Sequence, residues 1–386
     1  MVTKGAWWND AGVRAVLYQI VVLGAILLLG WYLVSNTLAN LAARNIATGF
    51  GFLGREAGFA IGESPLAYAP TDSYARAILV GLANTVIVAL VGIAFATLIG
   101  LVIGIARLSS NWLVARLATV YVESARNVPV LLHLLFWYAL ITEALPGPRQ
   151  ALNPIANVFI SNRGIKFPLP VWEAAHGWMA AALVVAVAAT LVLARWARTR
   201  QAETGQPFPI IRVGLALILG LPLLAWLAGG APTALDRPEL KGFNFTGGHT
   251  VSPEFVALLL GLTLYTAAFI AEIVRSGILA VSRGQTEAAL ALGLSRGQVL
   301  RLVILPQALR VIIPPLTSQY LNLTKNSSLA VAIGYPDLVS VANTTINQTG
   351  QAIEGVALVM AVYLAVSLGI AAFMNWYDKK TALVSR

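Results

Sequence analysis

Apolar runs separated by short charged segments dominate the chain, and eight of them are long enough to cross a membrane. A helix needs about 20 mostly apolar residues to span the hydrocarbon core. The third run carries Glu123, Arg126 and His133, and the second half of the seventh run is polar. The pattern predicts an all-α, polytopic bundle with spans near these ranges: 16–34, 76–107, 117–145, 177–194, 211–228, 255–274, 311–333 and 355–377.

Composition supports this prediction and excludes several classes of protein. Hydrophobic residues make up 58% of the chain and charged residues only 11%, whereas a soluble domain carries roughly 25% charged residues. A soluble enzyme, a disordered protein and a fibrous repeat are therefore excluded. The chain has no cysteine and three histidines that lie far apart, so neither a disulfide, a thiolate nucleophile nor a His-rich metal centre is expected.

The distribution of charge predicts the orientation. An even number of spans places both termini on one side, and a cytoplasmic N-terminus puts 16 basic residues in cytoplasmic segments against 8 in outer loops. Ten acidic residues fall in the outer loops. This asymmetry follows the positive-inside rule, so the net charge of +10 reflects membrane insertion and not a nucleic-acid partner. The first span lacks a clean cleavage site after it and is expected to be retained.

Four regions follow from the spans. An extra helix and its long outer loop occupy 1–73, and the first part of a core bundle occupies 74–145. An insert with two spans follows over 146–254, and the core resumes over 255–386. The long outer loops are rich in Gly or Pro and are expected to cover the mouth of the bundle or to meet a soluble partner.

Small residues form a stripe on the second span. Gly92, Ala96, Gly100 and Gly104 recur at intervals of four and share one helix face. Small faces allow helix backbones to approach closely in lipid. The stripe predicts close helix packing within the chain, with a contact to another subunit or a moving helix as the alternative.

The segment 282–306 predicts a helix–glycine–helix elbow on the cytoplasmic side. The first helix is predicted to start at Ser282, to run through 287–292 and to end at Gly293, because glycine accepts the left-handed conformation found at helix ends. A second helix is predicted over 299–305, and Pro306 lies near the start of the next span. Two capping boxes would begin these helices: Ser282 with Gln285, and Ser295 with Gln298.

The elbow resembles the EAA loop of ABC importer permeases. Glu287-Ala288-Ala289, Gly293 and Val303-Ile304-Leu305-Pro306 have the residue types and spacing of that loop. In that family the loop is the coupling helix and seats in a cleft of a cytoplasmic ATPase. The resemblance implies that the ATPase-coupling residues are Arg283, Glu287, Ala288, Ala289, Gly293, Arg296 and Pro306.

Three further segments, 121–132, 271–281 and 323–329, are similar to the polar amino-acid branch of that family. The extra first span and the insert resemble the longer permease subunits of general L-amino-acid importers. The resemblance implies an inner-membrane subunit that imports polar or varied L-amino acids. The partners that it implies are an ATP-binding subunit in two copies, a second homologous permease and a periplasmic amino-acid-binding protein.

No GxxxxGK[ST] phosphate loop occurs in the chain. The chain is therefore not expected to hydrolyse ATP or to hold a cofactor, and ATP with Mg²⁺ is expected in the partner ATPase. An ion-coupled secondary amino-acid carrier is the second hypothesis, because charges inside the membrane and broken helices fit that class as well. An intramembrane enzyme is a third, and no His/Asp/Ser constellation favours it.

Charges inside spans are costly and usually face a cavity or a partner. Glu123 with Arg126, and Glu272 with Arg275, are spaced three apart, so each pair is predicted to meet on one helix face. One interpretation is a neutralising pair near the membrane interface. The other is an inner gate that forms and breaks ion pairs with the second permease.

The seventh span is the predicted lining of the substrate path. Pro314 and Pro315 are expected to disturb its helix and free backbone carbonyls near the path. The alternative is that its polar side chains hydrogen-bond to neighbouring helices. Asn127 and His133 are weaker path candidates, and His133 is expected to be a packed, satisfied histidine. The path candidates are Thr317, Gln319, Asn322, Lys325, Asn326 and Ser327.

Overall fold

The computed structural model describes residues 11–43 and 48–381 of the chain. It divides into two compact units: Met1–Trp137 with Ala257–Arg386, and Tyr138–Val256. The described residues form twelve α-helices: α1 (Ala11–Ala43), α2 (Tyr74–Ala106), α3 (Trp112–Asn127), α4 (Val130–Ala139), α5 (Ala174–Thr204), α6 (Ile210–Ala228), α7 (Pro253–Leu279), α8 (Arg283–Ala291), α9 (Arg296–Val299), α10 (Leu305–Asn326), α11 (Leu338–Thr349) and α12 (Ala352–Thr381).

Seven helical segments of the described residues are long and apolar enough to cross a membrane. The pair α3–α4 makes eight if it counts as one bent span, and in that sense the predicted number of spans is confirmed. The seventh predicted span belongs to a longer segment, Arg296–Ile333, which joins α9, a π-helical turn, α10 and a final 3₁₀ turn. The second arm of the predicted elbow therefore continues into the span.

The third predicted span is not one continuous helix, because it is divided into α3 and α4. Between α3 and α4 the axis bends by 104°. The cause is Pro129, which disfavours helical backbone in the residue before it. Val128 is accordingly extended, with φ −102° and ψ 130°. By contrast, Pro314 and Pro315 lie inside α10, which runs unbroken through them.

The small-residue stripe of α2 packs against other helices of the first unit, as one of its two interpretations predicts. A Cβ atom on Gly100 would lie 2.6 Å from the side chain of Ile270, and one on Gly104 would lie 2.8 Å from the backbone oxygen of Ala271. Gly92 faces Leu323 of α10 in the same way. Because these glycines have no side chains, α2 packs closely against α7 and α10.

Residues 48–73 form a segment that packs against the core helices. Phe52 and Ala57 are buried in a cluster with Tyr74 of α2 and Leu338 of α11. The amide of Asn84 donates to the carbonyl oxygens of Glu63 and Pro336, each at 2.9 Å. Hydrophobic packing and buried hydrogen bonds therefore fasten this segment to the core helices.

Asp337 begins α11 from a completely buried position between two spans. One oxygen of its carboxylate accepts a hydrogen bond from the backbone N–H of Ser340 at 2.9 Å. Burial raises the pKa of Asp337 from 3.8 to about 6, because the backbone hydrogen bonds offset only part of the lost hydration.

This shift predicts a pH dependence of stability. Between pH 3.8 and about 6 the folded chain holds a proton on Asp337 that the unfolded chain has released. The stabilisation from this group is therefore complete below the lower value and is lost as the pH rises through about 6, by up to ~3 kcal/mol. Asp337→Asn removes the titration, so the melting temperature of the wild type relative to this variant should fall between pH 4.5 and 7, as measured by thermal unfolding in detergent. Parallel curves would contradict the assignment.

The second unit combines a helical hairpin with small β-sheets that the sequence pattern did not predict. Helices α5 and α6 pack along each other, and two antiparallel strand pairings, 164–167 with 249–251 and 169–170 with 235–236, join the segments before and after this hairpin. The strands are β1 (Leu152–Ile155), β2 (Val158–Ser161), β3 (Gly164–Phe167), β4 (Leu169–Pro170), β5 (Leu235–Asp236), β6 (Glu239–Lys241), β7 (Asn244–Thr246) and β8 (His249–Val251).

Candidate functional site

The elbow over 282–306 has the local structure that its sequence predicts at Gly293. That residue has φ +81°, and the backbone N–H groups of Gly293 and Leu294 donate to the carbonyls of Leu290 and Ala289 at 2.9 and 3.2 Å. This pair of bonds is the Schellman arrangement that closes a helix. The chain reverses here because only glycine adopts such a φ without strain.

One of the two predicted capping boxes forms. Ser295 and Gln298 each bond to the backbone N–H of the other, which starts α9. Ser282 occupies the cap position of α8, but its side chain makes no cap hydrogen bond, so the first predicted box is wrong. Ser282 and Gln285 instead line an open pocket of about 390 Å³ beside Gln307 and Arg310.

The elbow presents most of its predicted coupling residues on its surface. Ala289 and Val299 are buried and fix the two arms. The apolar side chains of Leu290 and Leu292 are 44% and 82% exposed. Pro306 is half-buried, and the exposed predicted residues are Arg283, Glu287, Ala288, Gly293 and Arg296. The elbow is therefore a protruding surface with apolar groups at its tip.

Five charged side chains meet at the ends of three helices. We call them the charge cluster: Arg107, Glu123, Arg126, Glu272 and Arg275. Arg275 Nη2 donates to Glu272 Oε1 at 2.6 Å, and Arg107 Nη1 donates to Glu272 Oε2. Arg126 Nη1 lies 4.0 Å from the same Oε2 atom. One carboxylate thus contacts three arginines.

The predicted pair Glu272–Arg275 is confirmed, whereas the predicted pair Glu123–Arg126 is wrong. Glu123 Oε1 lies 3.9 Å from Arg107 Nη2, and Arg126 pairs with Glu272 instead. The spacing along α3 could not reveal this exchange, because it depends on the approach of other helices. The glycines of α2 hold that helix against α7, which brings Arg107 and Glu272 together.

Arg107 is the member of the charge cluster that the sequence pattern missed. It directly follows the last residue of α2. Its side chain is only 9% exposed, and the small residues at every fourth position before it were the available signal. The Nε atoms of Arg107 and Arg126 are buried without a hydrogen-bond partner in the described part of the chain, so both retain donors that a rearrangement could use.

An open cavity of about 220 Å³ lies beside the charge cluster. It connects the cluster with Gln319, one of the predicted path residues on α10. The guanidinium of Arg126, the carboxylate of Glu272 and the amide of Gln319 therefore line one space, together with several apolar side chains. Its lining includes Arg126, Phe269, Glu272, Ser276, Pro315 and Gln319.

Helix α10 has an exposed polar face that continues past this cavity. Ser318, Asn322 and Lys325 recur at intervals of three to four residues and are all exposed. The buried residues Ile312, Ile313, Leu323 and Thr324 point into the chain's own core. A lysine that is exposed on a membrane-spanning helix normally faces water or a protein partner, because lipid would make its charge costly.

The other path candidates are engaged within the chain to different degrees. Thr317 Oγ1 donates to the carbonyl of Ile313 at 3.3 Å, and Ser327 Oγ donates to that of Thr324 at 2.7 Å. Ser327 is buried, and Asn326 is half-buried at the end of α10. Both bonds go to carbonyls three or four residues earlier in the same helical segment, so they do not show the predicted alternative of hydrogen bonds to neighbouring helices. Among the described residues, no group of three or more His, Asp or Glu side chains could hold a metal ion.

Comparison with known proteins gives the family. The model of the family described as "Binding-protein-dependent transport system inner membrane component" matches residues 203–383. The general L-amino acid transport system permease protein AapQ of Rhizobium johnstonii is 52% identical over 377 residues, which cover 98% of this chain and 94% of that protein. The putative amino-acid ABC transporter permease YhdX of Escherichia coli is 50% identical, over 97% of this chain and 95% of its own length.

A third relative is the glutamate/glutamine/aspartate/asparagine transport system permease protein BztB of Rhodobacter capsulatus. It is 42% identical, over 98% of this chain and 96% of its own length. A crystal structure of an amino acid ABC transporter with histidines is 20% identical, with a TM-score of 0.47, over 80% of this chain and 95% of that chain.

These full-length similarities include the extra first helix and the insert. The chain belongs to the inner-membrane permeases of binding-protein-dependent ABC transporters, and within them to the longer type. It is a membrane subunit of an ATP-driven importer and not the ATPase itself. The resemblance to ABC importer permeases, based on the sequence of the elbow, is thereby confirmed. None of the relatives named here supports the hypothesis of an ion-coupled carrier.

Proposed function

We propose that this permease carries L-amino acids from the periplasm to the cytoplasm, with a polar or broad range of substrates. The observation that carries the proposal is the similarity, along almost the whole chain, to permeases named for general L-amino acid transport and for acidic amino acids and their amides. The cavity beside the charge cluster supports it, since both signs of charge face one space.

The orientation that we propose places both termini and the elbow in the cytoplasm of a bacterial inner-membrane protein. An ATPase, in two copies that bind ATP and Mg²⁺, docks on the elbow. The exposed leucines at positions 290 and 292 and the buried Ala289 support a docked helix, because the tip is apolar while its base is fixed. The force of ATP-driven closure then reaches α10 directly, since the second arm continues into that helix.

The substrate path runs along the exposed face of α10 and past the cavity. A second, homologous permease completes the path by facing Asn322 and Lys325. A periplasmic amino-acid-binding protein delivers the substrate. The support is physical: polar side chains exposed on a membrane-spanning helix require a polar surface opposite them.

The charge cluster acts as an inner gate in this proposal. Glu272 joins α7 to the end of α2 through Arg107 and to α3 through Arg126. Movement of α7 relative to α3 would weaken the 4.0 Å contact with Arg126 before the shorter contact with Arg275. The cluster can therefore open on one side while the pair within α7 persists.

Reconstitution in liposomes tests the proposed function. The chain, its second permease and the ATPase are incorporated, and uptake of a labelled L-amino-acid mixture is measured with enclosed ATP and external binding protein. Uptake should require all four proteins and ATP. Uptake by this chain alone under an ion gradient would overturn the proposal in favour of a secondary carrier.

Lys325→Met is expected to lower the transport rate by about tenfold, because it removes the positive charge of an exposed side chain on α10 while keeping the length of that side chain. Lys379→Met changes an exposed lysine at the end of α12 and should leave the rate within about twofold. Initial uptake rates in the reconstituted system compare the two variants. Equal rates for both would remove Lys325 from the path.

A further inference from the structure

The bend between α3 and α4 leaves a specific backbone group without its helical partner. In a continuous helix the carbonyl of Ala125 would accept a hydrogen bond from the N–H of residue 129. Residue 129 is proline, which has no N–H. Ala125 is 5% exposed, so water cannot easily satisfy this carbonyl inside a membrane-spanning segment.

A side chain from beyond the bend reaches this carbonyl. His133 Nε2 lies 3.1 Å from Ala125 O, within hydrogen-bond distance. The imidazole ring also packs edge-on against the ring of Tyr265 on α7, with centroids 5.7 Å apart. His133 therefore spans both arms of the bend and rests on a third helix.

Both arms of the bend are seated on α7. On the α3 side, Tyr121 Oη donates to the carbonyl of Leu264 at 2.6 Å. On the α4 side, Leu134 is completely buried against Gly261, where a Cβ atom would lie 2.6 Å from the leucine side chain. The segment between Tyr121 and Leu134 contains the bend, and the hydrogen bond from His133 to Ala125 links its two sides.

The position of the bend matters because the next residue after Ala125 belongs to the charge cluster. Arg126 places its guanidinium 5.2 Å above the ring of Phe269 and 4.0 Å from Glu272. A contact of 4.0 Å is sensitive to small movements of the backbone that carries it. Any loosening of the last turn of α3 would therefore change the cluster and the cavity beside it.

We propose that His133 is a positioning residue of the transport cycle. With its proton on Nε2 it donates to the Ala125 carbonyl, replaces the N–H that Pro129 lacks, and so fixes the bend that holds Arg126 against Glu272. It acts through the backbone of α3 and touches neither Glu272 nor the cavity's charged groups. This inference rests on the proposed function only for its transport readout, because the geometry of the bend can be measured separately.

The test compares a variant that keeps a side-chain donor with one that does not. The chain has no cysteine, so cysteines placed at the exposed positions Val120 and Leu135 can carry a pair of spin labels across the bend. The wild type and His133→Gln should give the same narrow distance distribution. His133→Leu should broaden it and should lower transport per ATP hydrolysed by about fivefold, the factor that one hydrogen bond accounts for.

Each outcome decides the question. A narrow distribution in His133→Leu would overturn the proposal, and so would a His133→Gln variant that behaves like His133→Leu, since ring packing on Tyr265 would then be the cause.

His249→Leu, a change at an exposed histidine of β8, should alter neither readout. If His133→Leu fails to fold, His133→Phe keeps a ring against Tyr265 without a donor and should broaden the distribution; a narrow distribution in that variant would also overturn the proposal. If the spin-label distances change in His133→Leu as expected but the wild type transports no amino acid, the result counts against the proposed function and not against the role of His133.

Discussion

Replacement of Gly293 by valine is expected to reduce ATP-coupled transport by about tenfold or more. The glycine has φ +81°, a conformation that costs a β-branched residue about 1–3 kcal/mol. That cost falls on the turn between the two arms of the elbow, so the first arm should leave its fixed position. The expected result is a complex that still assembles but whose hydrolysis is no longer stimulated by substrate-loaded binding protein.

The same loop offers a matched control. Gly297 lies in α9 four residues later, and an added Cβ would meet no atom within 4 Å at either glycine. Gly297 is not among the residues with positive φ, so Gly297→Val adds the same side chain without the backbone strain. Transport should remain within about twofold of wild type. Equal losses for the two variants would show that surface bulk, and not the left-handed turn, governs the elbow.

Glu272→Gln is expected to have the second large effect, because it removes the carboxylate that contacts three arginines. Loss of one partner from a buried ion pair costs about 3–5 kcal/mol. Glu272 is 24% exposed, so we expect a decrease of about 1–3 kcal/mol in the free energy of unfolding. Transport should also fall, because the charge that joins α7 to α2 and α3 is lost.

Two further variants separate charge from structure. Glu123→Gln removes the other carboxylate, which is 56% exposed and 3.9 Å from Arg107, and should cost less than about 0.5 kcal/mol. The single change leaves Arg107, whose side chain is 9% exposed, without this carboxylate. The double variant Arg107→Gln/Glu272→Gln removes that arginine's charge as well, so part of the lost stability should return. Thermal unfolding and uptake rates measure each variant. If Glu123→Gln is as harmful as Glu272→Gln, the cluster has a different centre from the one described.

The local predictions succeeded where short-range chemistry decides the backbone. Gly293 ends α8 and Ser295 with Gln298 starts α9 because these residues form their bonds within a few positions along the chain. The same reasoning failed at Ser282, where the side chain lines a pocket with residues of α10. The bend at Val128-Pro129 was also not predicted, although the proline is a signal for it in the sequence.

The charge cluster shows the limit of spacing arguments. Residues three apart on a helix can meet, and Glu272 with Arg275 do so. Glu123 and Arg126 have the same spacing, yet other helices offer each of them a different partner. Arg107 entered the cluster only because the glycines of α2 permit contact with α7, a consequence of packing between residues far apart in the chain.

The sequence by itself determined the class of protein, the number of spans and the position of the elbow. These depend on the hydrophobicity of long segments and on turn chemistry that is complete within a few residues. Only the tertiary structure decided which charges pair, which face of α10 stays exposed and how the third span bends over α7. Those features arise from contacts between helices, because a side chain's partner is chosen by the surfaces that packing brings within a few ångströms of it.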